Sequence, residues 1–402
     1  MSFTLSPIHV SYANTIRRLV LTGVESVAFR ANMMENGATT DVVVHHNDTV
    51  LTNETLAHRV GLIPIHIHEP LKWNADKYIF KLDVSNKDDK VKDIVAGDFK
   101  VYELPGTDDA SPVETPSQAF FVPHPLTKET CIIATLPPGE KQRLNITAKA
   151  TIGTGRENAQ FIPVSQCSYE YTRDTDPVKI KRTFEQWLLK SKKVEADTLS
   201  HDSDGYATFM REFNTMEVSR CYLKDDNNEP YSYDFTIETL GILDIPYIVK
   251  RACEVGEIIA GKYVSIGTND LPEELTVTPS EGRVVGYDFI FRGHDHTLGN
   301  LIQTWLVQNH IDGTALPRVT YAGYKIPHPL QDEMLLIVGV EDGKESTARE
   351  AVAEACRGVV GMFRNLINSW ERAIGGGKDD IVVALPTPRK TVTLRRKPVQ
   401  QI

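Results

Sequence analysis

Two stretches of this chain repeat one pattern. Residues Ala13 to Val20 read A-N-T-I-R-R-L-V, and Gly299 to Leu306 read G-N-L-I-Q-T-W-L: a small residue, then Asn, then a run with helical amphipathic spacing. Repeated units generally leave an apolar face that one copy cannot cover, so two copies in one chain are expected to cover each other. In the first copy Ile16, Leu19, Val20, Val24 and Val27 follow the three-and-four spacing of one buried stripe. Ser11 is placed to cap that helix, and Arg17 and Arg18 point away from the stripe.

With 402 residues the chain is too long for a single hydrophobic core and suggests two or three units. A net charge of −10 excludes a protein that grips nucleic acid with its whole surface, because phosphate binding needs a concentrated basic field. The five cysteines are scattered without a C-x-x-C pair, which fits a reducing compartment rather than a disulfide framework or a cysteine zinc site. The first residues lack a basic stretch followed by an apolar core, and no window approaches 18 apolar residues, so a soluble intracellular protein is expected.

Past a loop at Asn36-Gly37, D-V-V-V reads as a strand, and L-T-N-E-T-L-A-H-R-V-G as a short helix capped by Thr52 or Asn53 and stopped at Gly61. L-I-P-I-H-I-H then reads as a strand. From Pro70 to Asn228, alternating residues broken by Pro, Gly and Asp predict a β-rich unit with one helical stretch near Thr183 to Lys190. A further helix follows Asp244 and Pro246, with Ile248, Ala252, Val255 and Ile259 as its stripe. Lys262 to Gly286 read as a linker, and its roughly 25 residues could reach about 80 Å when extended. A long final helix opens on a T-x-x-E capping box at Thr347 and Glu350, with Ala348, Val352, Ala355, Val359, Met362, Leu366 and Trp370 in one stripe.

Few residues suggest chemistry. Arg17, Arg18 and Arg59 suit an interface, since guanidinium groups make planar, bidentate contacts, although composition alone favours a solvated helix face. His66 and His68 share one face of the expected strand, with His45, His46 and His58 near in sequence, the makings of a zinc or iron half-site. No acidic or cysteine ligand stands at matching spacing, so no metal is expected. G-T-G-R lacks the full phosphate-binding pattern, and Asp88-Asp89, Asp108-Asp109 and Asp225-Asp226 read as solvated surface. No nucleophile has a base at credible spacing.

These residues also carry a resemblance. S-Y-A-N-T-I-R-R-L-V-L-T-G-V-E-S-V-A-F and N-D-T-V-L-T-N-E-T-L-A-H-R-V-G-L-I-P-I resemble the signature of the α-type RNA polymerase subunits: bacterial α, archaeal D and the eukaryotic third-largest subunit. G-T-G-R-E-N-A-Q-F-I-P-V-S at Gly153 to Ser165 is similar to a loop of their inserted domain, and F-T-I-E-T-L-G-I-L-D-I-P-Y-I-V-K-R-A to the segment re-entering the dimerisation domain. From Tyr287 onward, H-D-H-T-L-G-N-L-I-Q-T-W-L, Y-A-G-Y-K-I-P-H-P-L and the long last helix resemble the smaller α-like partner, archaeal L and its eukaryotic counterpart. A fusion of the pair resembles the arrangement in large cytoplasmic DNA viruses. Two departures stand out: the cysteine cluster many relatives carry in the insert is missing, and Asn158, Gln160 and Phe161 replace the usual His, Lys and Trp.

The expected fold class is α+β: two α-like dimerisation units of antiparallel strands plus helices, paired within one chain, with a β-rich inserted domain. The first unit would span 1–69 and 229–262, the insert 70–228, the linker 263–286, the second unit 287–374, and a mobile basic tail 375–402. The resemblance implies a non-catalytic platform of a DNA-directed RNA polymerase, without a cofactor, docking the largest and second-largest subunits and small zinc-bearing subunits, and touching DNA only indirectly. It implies subunit-interface roles for Asn14, Arg17, Arg18, His58, Arg59, Asn300, Tyr324 and Lys325. Ile16, Leu19, Val20, Ile248, Leu301, Trp305, Val359, Met362 and Leu366 would form the dimerisation core. It also implies no membrane contact, no homo-oligomer, and a viral protein of host cytoplasm or nucleus, with packaging in the virion left open. The alternatives are a metal-dependent enzyme using His45, His58, His66 and His68, and a free-standing transcription regulator binding DNA through the basic tail.

Overall fold

The computed structural model describes residues 1–32, 40–104, 111–139, 142–194, 204–268, 270–375 and 382–383. The Asn36-Gly37 loop, the Asp108-Asp109 pair and most of the 375–402 tail lie outside them. The helices among the described residues are α1 (Val10–Thr22), α2 (Asn53–Gly61), α3 (Pro177–Trp187), α4 (Asp204–Met216), α5 (Ile245–Gly261), α6 (His296–Leu306) and α7 (Glu345–Gly375). With mainly antiparallel sheets beside them the fold is α+β. The chain divides into two compact units: Met1–Arg17, Ser168–Thr236 and Gly256–Ile402 in the first, Arg18–Cys167 and Ile237–Val255 in the second. No helix among the described residues is long and apolar enough to cross a membrane.

The first unit holds an antiparallel sheet with strands Leu275–Pro279, Gly286–Arg292, Glu333–Gly339 and Tyr321–Lys325 in that spatial order. Strict alternation turns Phe289 and Phe291 inward on one strand and Met334, Leu336 and Val338 on its neighbour, the pattern of a half-buried strand. They meet Leu298, Ile302 and Leu306 of α6 and a narrow face of α7 made of Ala348, Ala351, Val352 and Ala355. Part of the stretch read as a linker is therefore a strand: Leu275 and Val277 alternate with Thr276 and Thr278, and the edge of Gly286–Arg292 offers a ladder to join.

A second sheet in this unit pairs Ser2–Leu5 antiparallel with Tyr233–Thr239, Phe3 lying opposite Phe235 and Leu5 opposite Tyr233. Val382–Val383 runs parallel to Thr4 and Leu5 on its other edge. The helical stretch expected near Thr183 to Lys190 is α3 followed by a π-helical turn at Leu188–Lys192, and α4 is a second helix in a part expected as strand. Ile180, Phe184, Trp187 and Leu188 recur at helical spacing, and so do Phe209, Met210 and Phe213, so each helix buries its apolar stripe on the other. Phe213 packs edge-on against Phe184 at 5.2 Å.

The second unit is built on five strands in the order Val42–Asn47, Gln142–Ala148, Tyr78–Asn86, Lys100–Glu103 and Val113–Thr115. Along Tyr78–Asn86 the residues Phe80, Leu82 and Val84 are buried while Lys81, Asp83 and Ser85 face water. Phe29, Phe99 and Phe121 and the α2 residues Leu56 and Val60 complete this core. Thr52 caps α2 as expected, its hydroxyl accepting the Thr55 N–H. The stretch Leu62–His68 is not a strand. Pro64 has no N–H to give a ladder, and Ile63 and Ile65 are held by burial, with a backbone bond from His66 to the Phe120 carbonyl.

Two caps differ from expectation as well. The long helix α7 starts at Glu345, ahead of Thr347, because Asp342 accepts both the Lys344 N–H at 3.2 Å and the Thr347 hydroxyl at 2.7 Å. Glu350 then pairs with Arg357 instead of closing a cap. At α1 the cap is His9, whose Nδ1 accepts the Ser11 N–H at 3.2 Å and whose carbonyl accepts the Ala13 N–H.

Phe213→Ala should remove about 3–5 kcal/mol from the hairpin of α3 and α4, the usual loss for a fully buried ring. Hydrogen exchange should report it as faster exchange in 177–216, with little change at Phe80 and Ile146 on the second unit's sheet.

Candidate functional site

Because His9 caps α1, the Ser11 hydroxyl is released from that task. It accepts a hydrogen bond from the Thr304 hydroxyl of α6 at 2.9 Å, and both groups are buried. Beside it, the Tyr12 hydroxyl donates to Gln308 Oε1 at 3.0 Å, and its ring lies 6.1 Å from that of Trp305. Burial pushes the Tyr12 phenol above its ordinary range, so it stays a donor at neutral pH. Phe3 stacks on Phe235 at 5.1 Å and meets Trp370 of α7 edge-on at 4.9 Å. The end of α5 lies so close to α7 that a Cβ on Gly256 would fall 2.5 Å from the Phe363 ring, and Glu257 pairs with Arg364 at 2.7 Å. Within the first unit, residues from both ends of the chain thus share packing and polar contacts.

Among the apolar residues expected in a shared core, Ile16, Leu19, Val20, Ile248, Leu301, Val359, Met362 and Leu366 are buried. Trp305 is half-buried beside Gly358, where any Cβ would collide with the indole.

The expected polar interface residues are spread differently. Asn14, Arg17 and Arg18 are half-buried on α1, with Arg17 Nε donating to Asn14 Oδ1 at 3.0 Å. His58 and Arg59 are exposed on α2, but Arg59 also serves the fold by donating from Nε to the Ile133 carbonyl at 2.6 Å. Asn300 is half-buried, its Oδ1 lying 3.5 Å from the Thr304 hydroxyl. Tyr324 covers Gly299 and its hydroxyl meets His296 Nδ1 at 3.2 Å, whereas Lys325 is exposed.

The loop at Gly153 to Ser165 belongs to the second unit. Gly155 passes against the Leu21 carbonyl so tightly that no side chain would fit. Asn158 caps the short turn Ala159–Phe161 by accepting the Gln160 N–H, and Phe161 is fully buried with its carbonyl bonded to the Ser26 hydroxyl at 2.7 Å. Arg30, which no sequence pattern marked, holds the loop: its guanidinium lies 5.0 Å over Phe161, pairs with Glu157 at 2.5 Å, and donates to the Ile152 carbonyl. Hydrogen bonding from Arg30 holds the Glu157 carboxyl below its usual range. Arg251 and Glu25 form a second missed pair, with both carboxylate oxygens 2.9 Å from the guanidinium.

The histidines do not assemble. His45 Nε2 lies 2.9 Å from Thr147 Oγ1, His46 pairs with Asp48, and the half-buried His66 turns Nδ1 to the Phe120 carbonyl. His58 and His68 are exposed. Among the described residues no group of three His, Cys, Asp or Glu is placed to hold a metal ion.

The chain is similar to known proteins over part of its length. Residues 287–369 match the family described as RNA polymerase Rpb3/Rpb11 dimerisation domain. The chain is 25% identical over 285 residues to DNA-directed RNA polymerases I and III subunit RPAC1 of Homo sapiens, covering 63% of this chain and 78% of the relative. It is also similar to DNA-directed RNA polymerase subunit Rpo3 of Methanopyrus kandleri, 26% identical over 270 residues and covering 64% and 87%. With Rpo3 of Pyrococcus furiosus it shares 25% identity over 277 residues, covering 66% and 92%. The chain therefore carries an α-like domain of the Rpb3/Rpb11 type and is homologous to the Rpo3 and RPAC1 subunits.

Arg30→Met should cost about 1 kcal/mol at neutral pH, discounted because Glu157 is partly exposed. Glu157 has a depressed pKa when folded, so its contribution is present above the unfolded value and lost as the pH falls through the folded one. The stability gap between parent and variant in urea titrations should therefore narrow as the pH falls below the ordinary glutamate pKa of about 4.3, leaving the part that rests on Phe161 and the Ile152 carbonyl.

Proposed function

We propose that this chain is a non-catalytic assembly subunit of a multisubunit DNA-directed RNA polymerase, and that its front and rear α-like portions pair within the one molecule. The homology to Rpo3 and RPAC1 supports the class, and the domain at 287–369 supports a dimerisation surface in the rear portion. The observation that carries the pairing is the buried hydroxyl contact between Ser11 and Thr304, 293 residues apart, with Tyr12 and Gln308 beside it. In the polymerases this chain resembles, two separate chains make such a pair; here a covalent link would raise the effective concentration of the halves to the millimolar range, about what short tethers give.

On this reading, Asn14, Arg17, Arg18, His58 and Arg59 present the front portion to the second-largest subunit, and Asn300, Tyr324 and Lys325 present the rear portion to the largest. Small zinc-bearing subunits are further partners, and DNA is met only through the large chains, which also carry the catalytic metal. The fused arrangement suits a viral polymerase working in host cytoplasm or nucleus, with packaging in the particle one outcome to be measured.

Affinity purification from the native source should bring down two very large chains with this one; their absence would sink the class. Arg17→Glu with Arg18→Glu should leave a soluble fold yet stop co-purification with the second-largest subunit, and unaltered capture would count against that docking face. Gly256→Val should overpack the ring of Phe363 and lower stability by about 1–3 kcal/mol. If the front and rear portions pair as proposed, its melting transition should drop for residues on both, read by exchange at Phe3 and at Trp370.

A further inference from the structure

One cavity in the first unit is left unexplained by an assembly role. It has a volume of about 540 Å³, and Pro7, Ile8, Tyr12, Tyr231, Trp305 and Met362 are among its lining residues. Its wall is largely apolar and aromatic, and Asp225 and Glu229, both exposed, stand at it. Aromatic grooves of this kind take proline-bearing extended segments, because such a segment loses little entropy on binding and stacks its rings on Tyr and Trp. Carboxylates beside the groove select a basic neighbour.

The chain has such a segment of its own. Leu385 to Lys390 read L-P-T-P-R-K, with two prolines followed by Arg389 and Lys390, and residues 384–402 contain five basic residues and no acidic one. The described pair Val382–Val383 runs parallel to the first strand, Val383 opposite Leu5. Pro7, at the cavity, and Leu385 each stand two residues beyond that register point, and the seven residues after Val383 could reach about 23 Å if extended.

We propose that the cavity is a binding site for a proline-bearing basic peptide, and that its occupant is the chain's own Leu385–Lys390 stretch. The prolines meet the Tyr12, Tyr231 and Trp305 wall, and Arg389 and Lys390 meet Asp225 and Glu229. This site is separate from the assembly reading, and its test needs no other polymerase subunit.

The test compares the intact chain with one truncated after Val383, using a fluorescently labelled peptide of residues 384–402 and anisotropy as the readout. The truncated chain should bind the peptide. With a dissociation constant of about 10 μM and a tethered effective concentration of about 1 mM, the intact chain should bind it roughly 100-fold more weakly. Gly361 lines the cavity and has open space where a Cβ would sit, so Gly361→Leu projects a side chain into the site from a position whose Cβ meets no neighbour. That change in the truncated chain should weaken binding at least about tenfold while the melting temperature holds or rises, as expected for glycine replaced in a helix. Glu229→Lys should weaken it as well, more at low salt than at high salt.

Equal binding by intact and truncated chains overturns the proposal, as does binding that survives Gly361→Leu, which would mark a merely electrostatic surface contact. A self-association of the intact chain that is lost on truncation would place the tail of a second copy in the cavity and likewise overturn it. Binding by neither chain leaves the cavity without this ligand and ends the idea.

Discussion

The first unit depends on apolar burial between the chain's opening segment and its two last helices. Phe3 and Tyr12 contribute rings, α6 and α7 contribute Trp305 and Trp370, and a pair of hydroxyls completes the polar pairing inside. Burying aromatic rings of this size is worth far more than any one hydrogen bond, so packing supplies the affinity. The Ser11 and Thr304 hydroxyls supply register. Left unpaired in that interior, either would cost about 1–3 kcal/mol, which penalises any sliding of α1 along α6.

The second unit is organised on a different principle. Its core is a sheet with one aromatic layer, and its distinctive loop is fastened by a single guanidinium that covers Phe161, pairs with Glu157 and ties to the backbone. Arg251 does comparable work at Glu25. Guanidinium groups suit both places because they combine a flat apolar face with donors at the rim. The two units therefore lean on different contacts at these places: ring packing and a hydroxyl pair hold the opening segment of the first, and a charged side chain fastens the loop of the second.

Much of this was legible in the residues. The three-and-four spacing from Ile16 to Val20 and from Ala348 to Trp370 is buried as read, since helical periodicity is set by core contact along the whole element, whereas Val24 and Val27, read on the same helical stripe, are buried beyond the end of α1 at Thr22, Val27 in the strand Glu25–Phe29. Thr52 caps where local pattern puts a cap. What could not be read was competition between local options: His9 takes the cap that Ser11 would have filled, and Asp342 takes the one at α7, because the hydroxyls or carboxylates displaced have other partners in space. Pro64 outweighed the alternation around it. Helix α4 was missed because its apolar residues are few and matter only against α3, and Arg30 because its partners Thr151, Ile152 and Glu157 lie 121 to 127 residues away along the chain.

The segmented make-up of the first unit bears on how the molecule comes off the ribosome. Residues 18–167 form most of a unit that can begin to fold early, whereas Met1–Arg17 must wait until Trp305 and then Trp370 have emerged. At about 5–20 residues per second that interval lasts tens of seconds, during which Phe3 and Tyr12 lack these partners. A nascent chain of this design has a long window in which its leading end is sticky, and chaperone demand should be concentrated there rather than at the sheet.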